Sequence, residues 1–219
     1  MSEVVAHNGA GKGAASQPNA SLAAALGPRS VVLVGMMGAG KSSVGRRLAG
    51  RLGIPFVDAD AEIERAHAGM TISEIFAIHG EPYFRAGETR VIARLLEGGP
   101  QVLATGGGAF MSDDTRSAIR SKGISVWLRA AIEVLNRRIK RRGDRPLLTG
   151  PDAAETLRRL LAEREPIYAQ ADFTVESRDV PHETIVDEIL EGLRRRLAPE
   201  SAAAAPAAPE GPPPGGTAP

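Results

Sequence analysis

Gly35-Met-Met-Gly-Ala-Gly40-Lys41-Ser42 matches the pattern G-x-x-x-x-G-K-S. Glycines at those positions let backbone N–H groups turn inward around phosphate oxygens, and a helix starting at Lys41 points its positive end at the same anion. Gly38, Ala39, Gly40, Lys41, Ser42 and Ser43 are therefore the expected nucleotide-binding stretch, with Lys41 reaching the β- and γ-phosphates and the Ser42 hydroxyl ligating Mg²⁺. Asp58 and Asp60 stand one residue apart just past an apolar run. Two such acids can serve a metal and an acceptor hydroxyl, although one Asp at this place can also simply cap a helix. Arg85 and Glu88 are three apart, on one face of a helix. Gly106-Gly107-Gly108 follows a strand-like run and offers close backbone approach. Six cations crowd nine residues: Arg137, Arg138, Lys140, Arg141, Arg142 and Arg145. Such a run is either a solvated helix face or a phosphate clamp.

The elements that must position these residues alternate. Strand-like runs are Ser30–Val34, Pro55–Val57, Gln101–Ala104, Ile124–Leu128 and Asp172–Val175. Helical patterns cover Lys41–Leu52, Asp58–His67, a start at Thr71 with a capping-box pattern, Glu81–Leu96, Asp113–Arg120, Ala131–Arg141, Ala153–Glu165 and Pro181–Leu197. The order predicts a three-layer α/β/α sandwich around a central five-stranded parallel sheet. Asp144 to Pro151 reads as a loop.

Composition narrows the classes. The chain has 219 residues, no cysteine, and 27 basic against 26 acidic residues. Thiol nucleophiles, zinc-thiolate sites and disulfides are excluded, and the balance is too mild for a general nucleic-acid binder. No run of 18 apolar residues and no secretory pattern are visible, so a cytoplasmic protein with no membrane partner is expected. Residues 1–28 and 198–219 are rich in Ala, Gly and Pro and poor in large apolar residues. Both read as disordered tails, with at most a transient turn at Ser21–Leu26. They bracket one domain over 29–197.

A phosphate loop alone does not choose among kinases, GTPases and ATP-driven machines. No Asn-Lys-x-Asp motif for guanine follows it, and the strand Gln101–Ala104 ends in Thr-Gly-Gly-Gly rather than in a carboxylate. The ordered set is more specific: phosphate loop, Asp-x-Asp, Phe84-Arg85-x-x-Glu88, Gly106-Gly107-Gly108, Arg145-Pro146-Leu147-Leu148 and Arg164-x-Pro166-x-Tyr168. From about Ser30 to Leu197 this set resembles the shikimate kinase family.

The resemblance implies an ATP- and Mg²⁺-dependent enzyme phosphorylating the 3-hydroxyl of shikimate, in chorismate and aromatic amino-acid synthesis. Asp58 then belongs to the metal shell, through water, and Asp60 is the base. Arg85 and Arg164 grip the substrate carboxylate, where a two-pronged guanidinium does what a lysine cannot. Glu88 orients this region, Gly106 to Gly108 contact the ring, and Phe84, with Ile72 and Phe76, walls it. Arg145 closes over the transferred phosphoryl from a lid at about 141–152, and Arg141 stacks on adenine. Arg178 is a further adenine candidate. A monomer is expected. The alternatives are another small-metabolite kinase, such as a gluconate kinase, and a non-catalytic nucleotide-binding module.

Overall fold

The structure is a computed structural model that describes residues 17–142 and 153–198. Its sheet is parallel, with strand order β2-β3-β1-β4-β5. The strands are β1 (Ser30–Val34), β2 (Phe56–Asp58), β3 (Val102–Ala104), β4 (Gly123–Arg129) and β5 (Phe173–Glu176). The middle strand β1 is buried at all five positions, as its unbroken apolar run requires when helices cover both faces. Val32 pairs with Leu103 on one side and Ser125 on the other. This register sets the C-terminal ends of β1, β2 and β3 side by side, and the loops that leave those ends carry the phosphate loop, the Asp pair and the glycine triplet. Open α/β sheets bind ligands at this edge.

The helices are α1 (Gln17–Leu26), α2 (Lys41–Leu52), α3 (Ala59–Ala66), α4 (Ile72–Leu96), α5 (Asp113–Lys122), α6 (Ile132–Arg142), α7 (Ala153–Tyr168) and α8 (His182–Leu197). A short 3₁₀ turn, Ala109–Met111, follows the glycine triplet. The fold class is the one the sequence predicts.

Two differences have physical causes. First, residues 17–26 lie within the fold, where a disordered extension over 1–28 is the sequence expectation. Leu22 and Leu26, four apart on one face of α1, are buried against α2 and α8. Arg29 donates to the Leu26 and Ala25 carbonyls and so satisfies the end of the helix. Two leucines suffice here because neighbouring helices complete their burial. Second, the patterns from Thr71 and from Glu81 join as one kinked α4. Gly80 takes φ 80°, ψ 167°, a conformation that favours glycine, and Pro82 follows it. The Thr71–Glu74 capping box starts this helix as expected. The kink splits the α4 face that meets α3. There a small satellite core of Ile63, Ile75, Phe84 and Val91 forms, apart from the main one.

Candidate active site

The phosphate loop runs from β1 into α2, with Gly40 in the left-handed region at the N-cap. Lys41 is 8% exposed, and its ammonium donates to the loop's own carbonyls, Gly35 at 2.7 Å and Met36 at 3.0 Å. The lysine is thus already folded across the loop. Ala39 is fully buried, and its amide donates to Met36 O at 3.1 Å. Gly38, Gly40, Lys41, Ser42 and Ser43 line a cavity of about 310 Å³, together with Asp58, Asp60, Thr105 and Gly107.

Asp58 carries two jobs at once. Its Oδ1 accepts the Asp60 amide at 3.2 Å and so caps α3, while its Oδ2 accepts the Ser42 hydroxyl at 2.7 Å. The capping and metal-shell readings of the pair therefore do not exclude each other. Ser42 and Asp58 are hard oxygen donors brought together beside the phosphate cavity, and that donor set suits Mg²⁺.

A second cavity, about 420 Å³, opens between the phosphate loop and α4. Its polar lining includes Asp60, Arg85, Glu88 and Arg164, and its apolar wall includes Ile72, Phe76 and Phe84. Gly106, Gly107 and Gly108 complete it. Arg85 stands over the Phe84 and Phe76 rings at 5.1 and 5.7 Å and donates to Glu88 Oε2 at 2.7 Å and to Glu81 Oε1 at 3.1 Å. Glu88 is 2% exposed, and its other oxygen, Oε1, is buried without a hydrogen-bond partner. Burial pushes this carboxyl above its ordinary pKa and nearby Asp60 adds to the rise, while Arg85 and Arg164 pull it down.

The glycine triplet has steric reasons. A β-carbon on Gly106 would stand 2.6 Å from Glu88 Oε1 and 2.8 Å from Asp60 Oδ1. One on Gly108 would stand 2.5 Å from the Arg85 guanidinium nitrogens. Both acids and the arginine thus crowd one backbone segment. Arg164 reaches it from α7 and donates to Gly107 O at 3.3 Å. Asp60 and Gly107 line both cavities and form the boundary between them.

Among the described residues, the expected site residues line one or both cavities except Ala39, whose side chain is turned into the loop, and Arg178. Arg145 and the Arg141 side chain lie outside the described residues, as does most of the expected lid. Arg178 pairs with Glu188 rather than lining the phosphate cavity. Arg138 and His182 line it instead. Arg138 belongs to the cationic run that the sequence leaves open between surface and clamp, and it donates to Ser177 Oγ at 2.9 Å and to Gly38 O at 3.4 Å. Ser177 in turn donates to Ala39 O at 2.7 Å. His182 carried no sequence signal beyond its place at the start of the last helix.

Residues 37–194 match the family described as shikimate kinase. A shikimate kinase of Rhodopseudomonas palustris is 62% identical over 197 residues, which is 90% of this chain and 95% of the relative. One of Bradyrhizobium diazoefficiens is 61% identical and spans 88% and 92% of the two chains. The solved shikimate kinase of Acinetobacter baumannii in complex with shikimate superposes with a TM-score of 0.75 at 39% identity, covering 80% of this chain and 98% of that one. Sequence and fold agree over the stretch that builds both cavities, and the chain belongs to the shikimate kinase family.

Proposed function

We propose that this chain transfers the γ-phosphoryl group of ATP to the 3-hydroxyl of shikimate. The observation that carries the reading is the shared boundary of the two cavities: one is built for phosphates, the other offers two arginines to an anion, and Asp60 faces both. An acceptor held by its carboxylate on Arg85 and Arg164 presents a ring hydroxyl toward Asp60. Asp60 takes the hydroxyl proton as the oxygen attacks the γ-phosphorus, and the bond to the bridging oxygen of ADP breaks. Lys41 leaves the Gly35 and Met36 carbonyls for the β- and γ-phosphates. Phe76, Phe84 and Ile72 keep water from the acceptor.

Ser42, with Asp58 behind it, would hold Mg²⁺, which when bound neutralises charge on the β- and γ-phosphates. Arg145 and Arg141 keep the phosphoryl and adenine roles that the family resemblance gives them, on a lid over about 141–152. The domain takes in α1 besides the expected 29–197, acting as a cytoplasmic monomer with small-molecule substrates and no nucleic-acid or membrane partner. Among the described residues no helix is long and apolar enough to cross a membrane.

The test is a coupled ADP-release assay with shikimate, quinate, gluconate and nucleoside monophosphates as acceptors. Shikimate should give the highest kcat/KM by at least about tenfold, the discrimination expected of a charged, hydrogen-bonding site. Preference for gluconate or a nucleotide would overturn the reading.

A further inference from the structure

Asp60 and Gly107 separate the acceptor cavity from the phosphate cavity, yet Gly107 has no side chain with which to hold its place. Its backbone lies close to the phosphate loop: a β-carbon there would stand 3.1 Å from the Met37 amide nitrogen. Its carbonyl oxygen receives two donors from α7, the Arg164 guanidinium and the Tyr168 hydroxyl. Tyr168 is fully buried. Its ring stacks near Phe110, 6.4 Å away on the turn after the glycine triplet, and near Trp127, 5.9 Å away on β4. Its phenol oxygen also lies 3.7 Å from Met36 Sδ in the phosphate loop. One side chain therefore touches the phosphate loop, the glycine triplet and the sheet.

We infer that Tyr168 is a positioning residue for phosphoryl transfer, which fixes the Gly107 carbonyl and thereby the distance between acceptor and phosphate. The inference rests on the shikimate kinase reading and deepens it. Burial pushes the phenol up to about 12, with Arg164 pulling the other way, so the hydroxyl keeps the proton it donates throughout the working range. Near-attack geometry tolerates little error, since a misplacement of about 1 Å costs about 100-fold in rate. A loosened boundary also lets water reach the γ-phosphorus in place of the acceptor.

Tyr168→Phe keeps the ring and its stacking and removes only the hydroxyl. The experiment uses the full chain and measures kcat, both KM values, and the ratio of ADP released to shikimate 3-phosphate formed. The variant should lose about 10- to 100-fold in kcat, with both KM values within about threefold of wild type and the ratio rising above one. Ile189→Val, a core change on α8, serves as a control for lost stability. It should lower Tm while leaving kcat and the ratio unchanged. A Tyr168→Phe enzyme with wild-type kcat and ratio would overturn the inference alone. So would an Ile189→Val enzyme that shows the same kcat loss and ratio. A wild type inactive toward shikimate would overturn the functional reading and this inference with it.

Discussion

Arg85 donates to Glu88 Oε2 at 2.7 Å, while the opposite oxygen of the same carboxylate is buried with no partner. This half-satisfied acid lies beside Asp60 at the floor of the acceptor cavity. A buried ion pair of this kind is weak evidence for stability, because desolvation offsets the attraction. In the proposed reaction its use is to aim Arg85 at the acceptor's carboxylate.

The pH dependence of stability follows from that burial. Glu88 holds its proton more tightly in the folded chain than in the unfolded one, because burial outweighs Arg85. Its contribution is therefore fully present below the ordinary carboxylate pKa and is lost as pH rises through the raised folded value. Glu88→Gln cannot titrate. The Tm difference between variant and wild type should shift in the variant's favour as pH rises from about 4 to about 7. Thermal melts at stepped pH measure this, and a shift toward wild type would contradict it. Acceptor KM should rise about tenfold in the same variant, as expected when a charge-assisted bond is lost.

The first and last glycines of the triplet should fail in different ways. Gly108→Ala drives a methyl into the Arg85 guanidinium, so it should raise acceptor KM more than it lowers kcat. Gly106→Ala pushes on Glu88 and Asp60, so it should lower kcat, by about 100-fold for a displacement near 1 Å. ATP affinity should change less than threefold in both. Equal effects of the two variants on KM and kcat would contradict the placement of the acids at the first glycine of the triplet and of the arginine at the last.

Removing residues 1–28 should destabilise the protein. Leu22 and Leu26 are buried, and each is worth about 1.5–3 kcal/mol, an upper estimate. For a domain of this size the loss should lower Tm by about 10 °C. Thermal unfolding of the truncated and complete chains tests this, and an unchanged Tm would show that α1 contributes nothing.

The legibility of the sequence was uneven for physical reasons. The phosphate loop, Asp58 and Asp60, Arg85, the glycine triplet and Arg164 stand in motifs whose chemistry demands those residue types, and the structure gathers them around two adjoining cavities. The parallel sheet was legible from the apolar runs that alternate with helical patterns. Helix α1 was not, because an Ala-rich segment with two leucines has too little apolar surface to fold alone and its burial depends on α2 and α8. Its i, i+4 leucine pair was the available signal. Tyr168 stood in a motif without a role, since a core tyrosine and a positioning tyrosine look alike until the hydroxyl's partner is seen. The Arg138–Ser177–Ala39 chain joins residues far apart in sequence, and only the folded chain brings them together.

Asp60 bears the central claim, since it faces both cavities and is the proposed base. The decisive measurement is turnover of shikimate by Asp60→Asn, alongside ATP binding by calorimetry. The account predicts a loss in kcat of about 10²- to 10⁴-fold with the ATP Kd within about threefold of wild type. Turnover at the wild-type rate in that variant would contradict it.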